Sequence, residues 1–361
     1  MSGGTVSHLD TNRFQPDRIL VVRLSAMGDA IHTLPAVVAL RQAFPHAIIG
    51  WIIEERWAEL LCALRCPRSG TRSAERPLVD KIHTLNTAVW RKTLLSSQTW
   101  EQMASSLSEL RAAHYQVAVD FQGAVRSAVL ARMSGAETTY GVAQPRENAA
   151  SMWYTRQVIV TGTHIIEQNH SLAVAITGCT EPPPDSVFPT DPFAEGWTER
   201  YTREQFALLN PGAGWGAKQW PAERYGRVAC ELQSEGLRSL VNFGPGEEDL
   251  AHEVEAASDG AAEAVACSLS QLISLTRRAS LFIGGDTGPM HLAAAMKVPV
   301  VGIFGPTNPA RNGPFATRSV VLRNPASPTS HARRAAPDEG LLTITVEDVL
   351  QAARHLLRGP E

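Results

Sequence analysis

The clearest pattern begins at Ile19-Leu20-Val21-Val22-Arg23-Leu24, a short run that is apolar but for one residue and rich in β-branched side chains. It lacks the alternation of a half-exposed strand and is bounded too closely for a helix. It therefore predicts a strand buried on both faces of a parallel sheet. Ser25-Ala26-Met27-Gly28-Asp29 interrupts it, and apolar residues then recur at Ile31, Leu34, Val37, Val38 and Leu40 as a helical stripe. Proline fits a helix best in its first turn, so Pro35 predicts a helix that begins near Ile31 to Leu34.

The same unit recurs along the chain. Strands are predicted at 48–53, 79–85 and 117–121, and helices at 57–64, 99–113 and 125–133. Glu181-Pro182-Pro183-Pro184-Asp185 can join neither a helix interior nor a central strand and reads as a linker. Beyond it, strands are predicted at 206–210, 237–243, 262–266, 281–283 and 298–304. The helices between them fall at 222–235, 247–257, 270–278 and 289–296, with a last amphipathic helix at 346–357. Alternating strands and helices mean βαβ units. The expected architecture is α/β, with two doubly wound Rossmann-like domains facing each other across a cleft. Its divisions are a flexible tail at 1–15, an N-terminal domain at 16–180, the linker at 181–185, and a C-terminal domain at 186–345. The final segment, 346–361, is expected to pack back on the N-terminal domain.

Composition narrows the function. A length of 361 residues suits two domains. A formal net charge of −3 offers no basic surface for nucleic acid. No run approaches the roughly 20 apolar residues of a membrane span. Met1 to Gln15 lacks the apolar core of a secretory signal. Cys62, Cys66, Cys179, Cys230 and Cys267 are scattered and odd in number, which predicts free thiols in a reducing, cytoplasmic compartment. The first 180 residues are net basic and the remainder net acidic, as suits an N-terminal half that meets an anionic partner. Arg65, Arg68, Arg72 and Arg76 lie in a Gly/Ser/Pro-containing stretch that reads as a mobile loop.

In open parallel sheets, ligands bind beyond the carboxyl ends of the strands, so the loops there hold the candidate chemistry. Gly284-Gly285-Asp286-Thr287-Gly288-Pro289-Met290-His291 joins a strand to a helix. Its glycines permit close backbone approach, and a helix N-terminus favours phosphate. Asp286 would repel phosphate and suits a sugar hydroxyl, whereas Thr287 can donate to a phosphate oxygen. Either could equally cap the helix. In Asn210-Pro211-Gly212-Ala213-Gly214-Trp215-Gly216-Ala217-Lys218, the lysine could stabilise a leaving diphosphate. Asp29 is placed either for general-base work or for capping. Glu247, after Gly244-Pro245-Gly246, could hold a ribose diol or simply occupy a first helical turn. There is no dinucleotide fingerprint, P-loop, D-x-D, zinc spacing or G-x-S-x-G elbow, so neither a metal nor a cofactor is expected.

Together, Ser25 through Ala36, Asp120-Phe121-Gln122-Gly123, Lys218-Gln219-Trp220-Pro221, Asp286 through His291 and Gly305-Pro306-Thr307-Asn308-Pro309 resemble glycosyltransferase family nine, the heptosyltransferases of lipopolysaccharide core synthesis. The Met-Gly-Asp-x-x-His-Thr-Leu-Pro form, Trp90-Arg91-Lys92, and Arg146-Glu147 ahead of Trp153-Tyr154 look most like the heptosyltransferase I branch. The resemblance implies a GT-B fold, inverting transfer, an ADP-heptose donor in the C-terminal domain and a Kdo2-lipid A acceptor in the N-terminal domain. It implies Asp29 as base, Lys218 on the diphosphate, Asp286 on the heptose, and Thr287 and Gly288 on phosphate. Glu247 would meet ribose, the backbone near Cys267 adenine, and His291 would line the donor site. Ala213-Gly214 stands where that branch has a Thr-Thr pair, leaving backbone N–H groups to face the donor. Gly28, Gln122, Arg126, Arg146 and the 65–76 arginines are the acceptor candidates. A lipid acceptor implies peripheral contact with the cytoplasmic face of the inner membrane. Other readings are heptosyltransferase II, a relative handling another core sugar, or a non-catalytic nucleotide-sugar-binding module.

Overall fold

The computed structural model describes residues 15–93, 96–330 and 334–358, so residues 1–14 of the expected tail lie outside the described residues. The first sheet contains β1 (Arg18–Val22), β2 (Ile48–Glu54), β3 (Lys81–Leu85), β4 (Val117–Asp120), β5 (Thr138–Val142) and β6 (Arg156–Val158). These strands are parallel, in the order β3-β2-β1-β4-β5-β6. The second sheet contains β7 (Phe206–Asn210), β8 (Arg238–Asn242), β9 (Ala262–Val265), β10 (Leu281–Gly285), β11 (Val300–Phe304) and β12 (Ser319–Arg323). Its order is β12-β11-β10-β7-β8-β9, again all parallel. Read from the opposite edge, this is the same order as the first sheet. Each sheet reverses its direction of growth between its first and fourth strands, at β1/β4 and β7/β10.

Sequence and packing agree most closely at the central strands. Ile19 to Val22 and Phe206 to Leu209 are essentially inaccessible to water, as expected of strands covered on both faces. The apolar core does not stop at the domain boundary. Met27, Ile31 and Leu34 share one cluster with Leu272, Met290 and Leu292 of the second domain. The helix Met27–Ala43 packs on both Ile165–Thr177 and Gly288–Ala295.

Several expectations are corrected. The first long helix starts at Met27, not near Ile31, and contains Pro35 in its interior. Asp29 reaches back to accept from Ala26 N at 3.1 Å, which fixes the earlier start. An interior proline costs about 3 kcal/mol. Burial of Ile31, Leu34, Val37 and Leu40 around it offsets this, at about 1.5–3 kcal/mol for each large side chain. The helix expected at 57–64 is a short 3-10 turn, Glu55–Leu60.

The stretch expected to be a mobile loop is largely exposed but tied down by its own arginines. Arg76 is buried and donates to Val79 O at 3.2 Å, Thr71 O at 2.9 Å and Pro67 O. Arg72 pairs with Asp80 at 3.3 Å, Arg68 with Glu55, and Arg65 lies 3.7 Å from the Phe193 ring centroid. These arginines hold their own loop and are not a free basic patch.

The last helix, Val346–Leu357, covers the second sheet and not the N-terminal domain. It buries Val349, Leu350, Ala353 and Leu356 in the second domain's core, and Arg354 pairs with Glu235 at 2.7 Å. The chain leaves β12 at that sheet's edge, and the helix supplies the apolar cover β10 and β11 need. All five cysteines are free.

Candidate active site

Four loops leave the two switch points, and each carries a candidate residue: Asp29 after β1, Gln122 after β4, Lys218 after β7 and Asp286 after β10. Asp29 sits in the first turn of Met27–Ala43, with its side chain 43% exposed and ion-paired to Arg23 at 2.8 Å. Arg23 is the one charge in the first apolar run, and it is 5% exposed. Across the boundary, the buried Asp286 carboxylate takes Lys218 Nζ at 2.5 Å on one oxygen and His291 Nε2 at 3.2 Å on the other. Burial alone would raise this carboxyl. His291 and Lys218 outweigh burial and hold it well below the usual carboxylate range.

The Lys218 loop is held from outside its own segment. Ala217 N donates to Arg334 O at 3.0 Å, and Ala217 O accepts from Asp338 N at 3.3 Å. The chain beyond β12 thus returns to brace the turn Gly216–Lys218. Lys218 Nζ also lies 4.4 Å from the Trp215 ring centroid. The capping alternative for Thr287 is not realised. It occupies the N-cap position of Gly288–Ala295, but its hydroxyl donates to Asn210 Oδ1 at 3.0 Å and does not cap the helix. The first-turn N–H groups remain available to an anion.

The two lobes meet through glycines. A Cβ on Gly28 would lie 2.4 Å from His291 Cδ2, and one on Gly288 would lie 2.6 Å from Met27 Sδ. Gly28 therefore faces the opposite domain. Its neighbour Asp29 is joined to Lys218 by consecutive contacts through Gly28, His291 and Asp286.

Residues 103–341 match the profile of glycosyltransferase family 9 (heptosyltransferase). The chain belongs to this family. It is 30% identical over 321 residues to lipopolysaccharide heptosyltransferase 1 of Pseudomonas aeruginosa, covering 84% of this chain and 83% of that protein. It shares its fold with E. coli heptosyltransferase WaaC solved with ADP-2-deoxy-2-fluoro heptose. The TM-score is 0.75 at 24% identity, covering 94% of this chain and 99% of that one. E. coli ADP-heptose lipopolysaccharide heptosyltransferase II gives a TM-score of 0.74 at 20% identity, over 94% of this chain and 98% of that one. The two domains thus have the GT-B fold of these heptosyltransferases, and the chain is a glycosyltransferase of family 9.

The other candidates of this family 9 chain take less central places. Glu247 folds inward, accepting from Gly244 N at 2.8 Å and filling the space that a Cβ on Gly212 would need. Cys267 accepts from Asn242 Nδ2 at 3.4 Å, and burial pushes its thiol up to about 11. Ala213 and Gly214 lie partly or fully exposed on the Lys218 loop. Gln122 Oε1 accepts from Leu24 N at 2.8 Å, tying the β4 loop to the β1 loop. Beneath it, buried Asp120 accepts from Gln122 N, Ser127 Oγ and Tyr154 OH at 2.7–2.9 Å. Arg126 is exposed and donates to Ser25 Oγ at 3.3 Å, beside Asp29. Arg146 is exposed, and its backbone borders Gly123. Sequence reasoning missed Arg23, Asn210, His32 and His164. Arg23 was signalled as a charge within an apolar strand, and His32 and Asn210 lay inside the quoted motifs without a role being assigned to them.

Proposed function

We propose that the protein transfers heptose from ADP-heptose to the Kdo of Kdo2-lipid A with inversion, Asp29 acting as general base and Lys218 receiving the charge of the departing diphosphate. The boundary contact of Gly28, the neighbour of Asp29, with His291, which meets the Asp286 carboxylate that also takes Lys218, is the observation that supports this reading. A base on one face of the anomeric carbon and a leaving group on the other invert that centre. Orienting donor and acceptor between the lobes turns a bimolecular encounter into a positioned one.

Lys218 is a compact cation held in place before the donor arrives, and the uncapped start of Gly288–Ala295 adds N–H donors for phosphate. Among the described residues, no group of His, Cys, Asp or Glu side chains is arranged to hold a metal ion. In this reading Lys218 and the helix N-terminus carry the neutralising charge. Asp286 has a partner on each oxygen, yet a carboxylate offers about four acceptor sites, leaving room for heptose hydroxyls. Glu247 is the candidate for ribose, and the backbone at Cys267 for adenine. Arg126 and Arg146 are exposed and are the candidates to meet the anionic groups of the acceptor. A lipid-borne acceptor puts the enzyme at the cytoplasmic face of the inner membrane. In this reading the contact there is peripheral; among the described residues no helix is long and apolar enough to cross a membrane.

Asp29→Asn should lower turnover about 10²–10⁴-fold while leaving ADP affinity unchanged by calorimetry. Lys218→Ala should weaken ADP binding. Near-normal turnover by the first variant removes the assigned base, and unchanged ADP affinity in the second removes the phosphate role.

A further inference from the structure

His32 has no role in the mechanism above, yet it is 4% exposed and lies against the donor-site cluster. It projects from the N-domain helix Met27–Ala43. Its Nε2 lies 3.1 Å from His291 Nδ1 across the domain boundary, with ring centroids 4.2 Å apart. His291 is itself 7% exposed and meets Asp286 Oδ1 through Nε2 at 3.2 Å.

Proton bookkeeping gives this chain a direction. Asp286 can only accept, so His291 carries a proton on Nε2. In neutral His291, Nδ1 is then an acceptor, and the proton between the two rings belongs to His32 Nε2. The other nitrogen of His32, Nδ1, is buried and has no hydrogen-bond partner among the described residues. In this arrangement it holds only a lone pair. The reverse arrangement would put a proton on that nitrogen, stranding a buried N–H donor, which is the costlier state. Burial foremost, and then His291, His164, Arg23 and Arg311, keep His32 uncharged well below the ordinary histidine range. The ring is also held from behind. His32 O accepts from Asn169 Nδ2 at 3.0 Å, and the His164 ring stands edge-on at 5.6 Å.

We propose that His32 is a positioning residue for donor binding: donating across the domain boundary to His291 Nδ1, it fixes the tautomer and orientation with which His291 holds Asp286, and through Asp286 the ammonium of Lys218. The N-terminal domain thereby takes part in building a phosphate site whose other members all belong to the C-terminal domain. The proposal rests on the reading of Lys218 as the diphosphate ligand.

The test compares His32→Gln, which keeps an N–H donor at a similar reach, with His32→Leu, which does not. His32→Leu should raise KM for ADP-heptose and Kd for ADP about fivefold to tenfold, the effect of one net hydrogen bond, with kcat at saturation nearly unchanged. His32→Gln should restore most of that loss. In the wild-type enzyme, ¹⁵N imidazole spectra at neutral pH should show both His32 and His291 protonated at Nε2 only. That measurement holds even if a variant folds poorly. Wild-type ADP affinity in His32→Leu, or a proton on His32 Nδ1, overturns the proposal. If Lys218→Ala in the same series leaves ADP affinity unchanged, the underlying phosphate assignment is what has failed, and the proposal falls with it. If Lys218→Ala weakens ADP while His32→Leu does not, only the role of His32 fails.

Discussion

Gly28→Ala places one methyl group at the point where the two domains touch. The new Cβ would lie 2.4 Å from His291 Cδ2 and 3.2 Å from Nε2. Ordinary carbon contacts begin near 3.5 Å, so about 1 Å must be found. His291 cannot retreat freely. One nitrogen is engaged by His32 at 3.1 Å, the other by Asp286 at 3.2 Å, and the ring is buried. Tilting the ring gives up at least one of these bonds, at about 0.5–1.5 kcal/mol. Prising the lobes apart disrupts an apolar cluster they share, and overpacking of this kind costs about 1–3 kcal/mol. At 1.4 kcal/mol per decade, the expected loss in ADP affinity and kcat/KM is about 5-fold to 150-fold. The assay is a double-mutant cycle of Gly28→Ala with His291→Ala, read by calorimetry with ADP and by initial rates. Removing the ring removes the clash, so the double variant should behave like His291→Ala alone. Simple additivity, or wild-type behaviour of Gly28→Ala, refutes a tight boundary contact at this position.

Asp286→Asn removes a carboxylate whose folded-state titration is shifted downward by His291 and Lys218 against its burial. A depressed carboxyl stabilises the fold above its unfolded value of about 3.9 and loses that contribution as pH falls through the folded value. Leaving Lys218 buried without its anion should cost about 3–5 kcal/mol at pH 7. In urea unfolding, the gap between wild type and variant should narrow below about pH 4; a gap that stays constant or widens in acid contradicts the assignment. Arg76→Ala strips three carbonyl oxygens of a buried donor and should lower stability by about 1.5–3 kcal/mol or more without touching donor affinity. Arg126→Ala should do the opposite, sparing thermal stability and raising the acceptor KM. Equal effects of the two on acceptor kinetics would restore the loop arginines as acceptor ligands.

The fold was legible where one physical signal dominated. Unbroken apolar runs marked β1, β7 and β11, because strands covered on both faces have no polar side to interrupt the pattern. The β5–β6 side of the first sheet was not legible. Thr138–Val142 and Arg156–Val158 are short, polar and half-exposed, and only their neighbours in the sheet make them strands. Pro35 misled because local propensity argues for a first-turn position, whereas tertiary burial along the whole of Met27–Ala43 keeps the helix running through it. The arginines at 65–76 misled for a related reason. A composition of Gly, Ser, Pro and Arg describes a solvated loop equally well as one folded around its own guanidinium groups. Only partners far along the chain, such as Asp80 for Arg72 and Phe193 for Arg65, decide between them.

The candidate site divides along the same line. Asp29, Lys218 and Asp286 stood out in the sequence because each follows a strand within a glycine-rich turn, and the strand order explains why those turns matter. Both sheets reverse at their first and fourth strands, so the loops after β1, β4, β7 and β10 are the ones that no crossover helix covers. What the sequence could not show is how two such openings face each other. That depends on contacts between residues more than 250 positions apart, His32 with His291 and Gly28 with the same ring, and neither pair has any local signature. A charged residue in a buried strand or a glycine at a helix start is detectable alone. A buried histidine becomes interpretable only once its partner is known, because its place for a proton is set by what the partner can accept. The boundary between the lobes is therefore where chemistry and packing use the same residues. The missing Cβ at Gly28 and the proton position proposed for His32 both serve to hold His291, and through it Asp286 and Lys218, in one orientation.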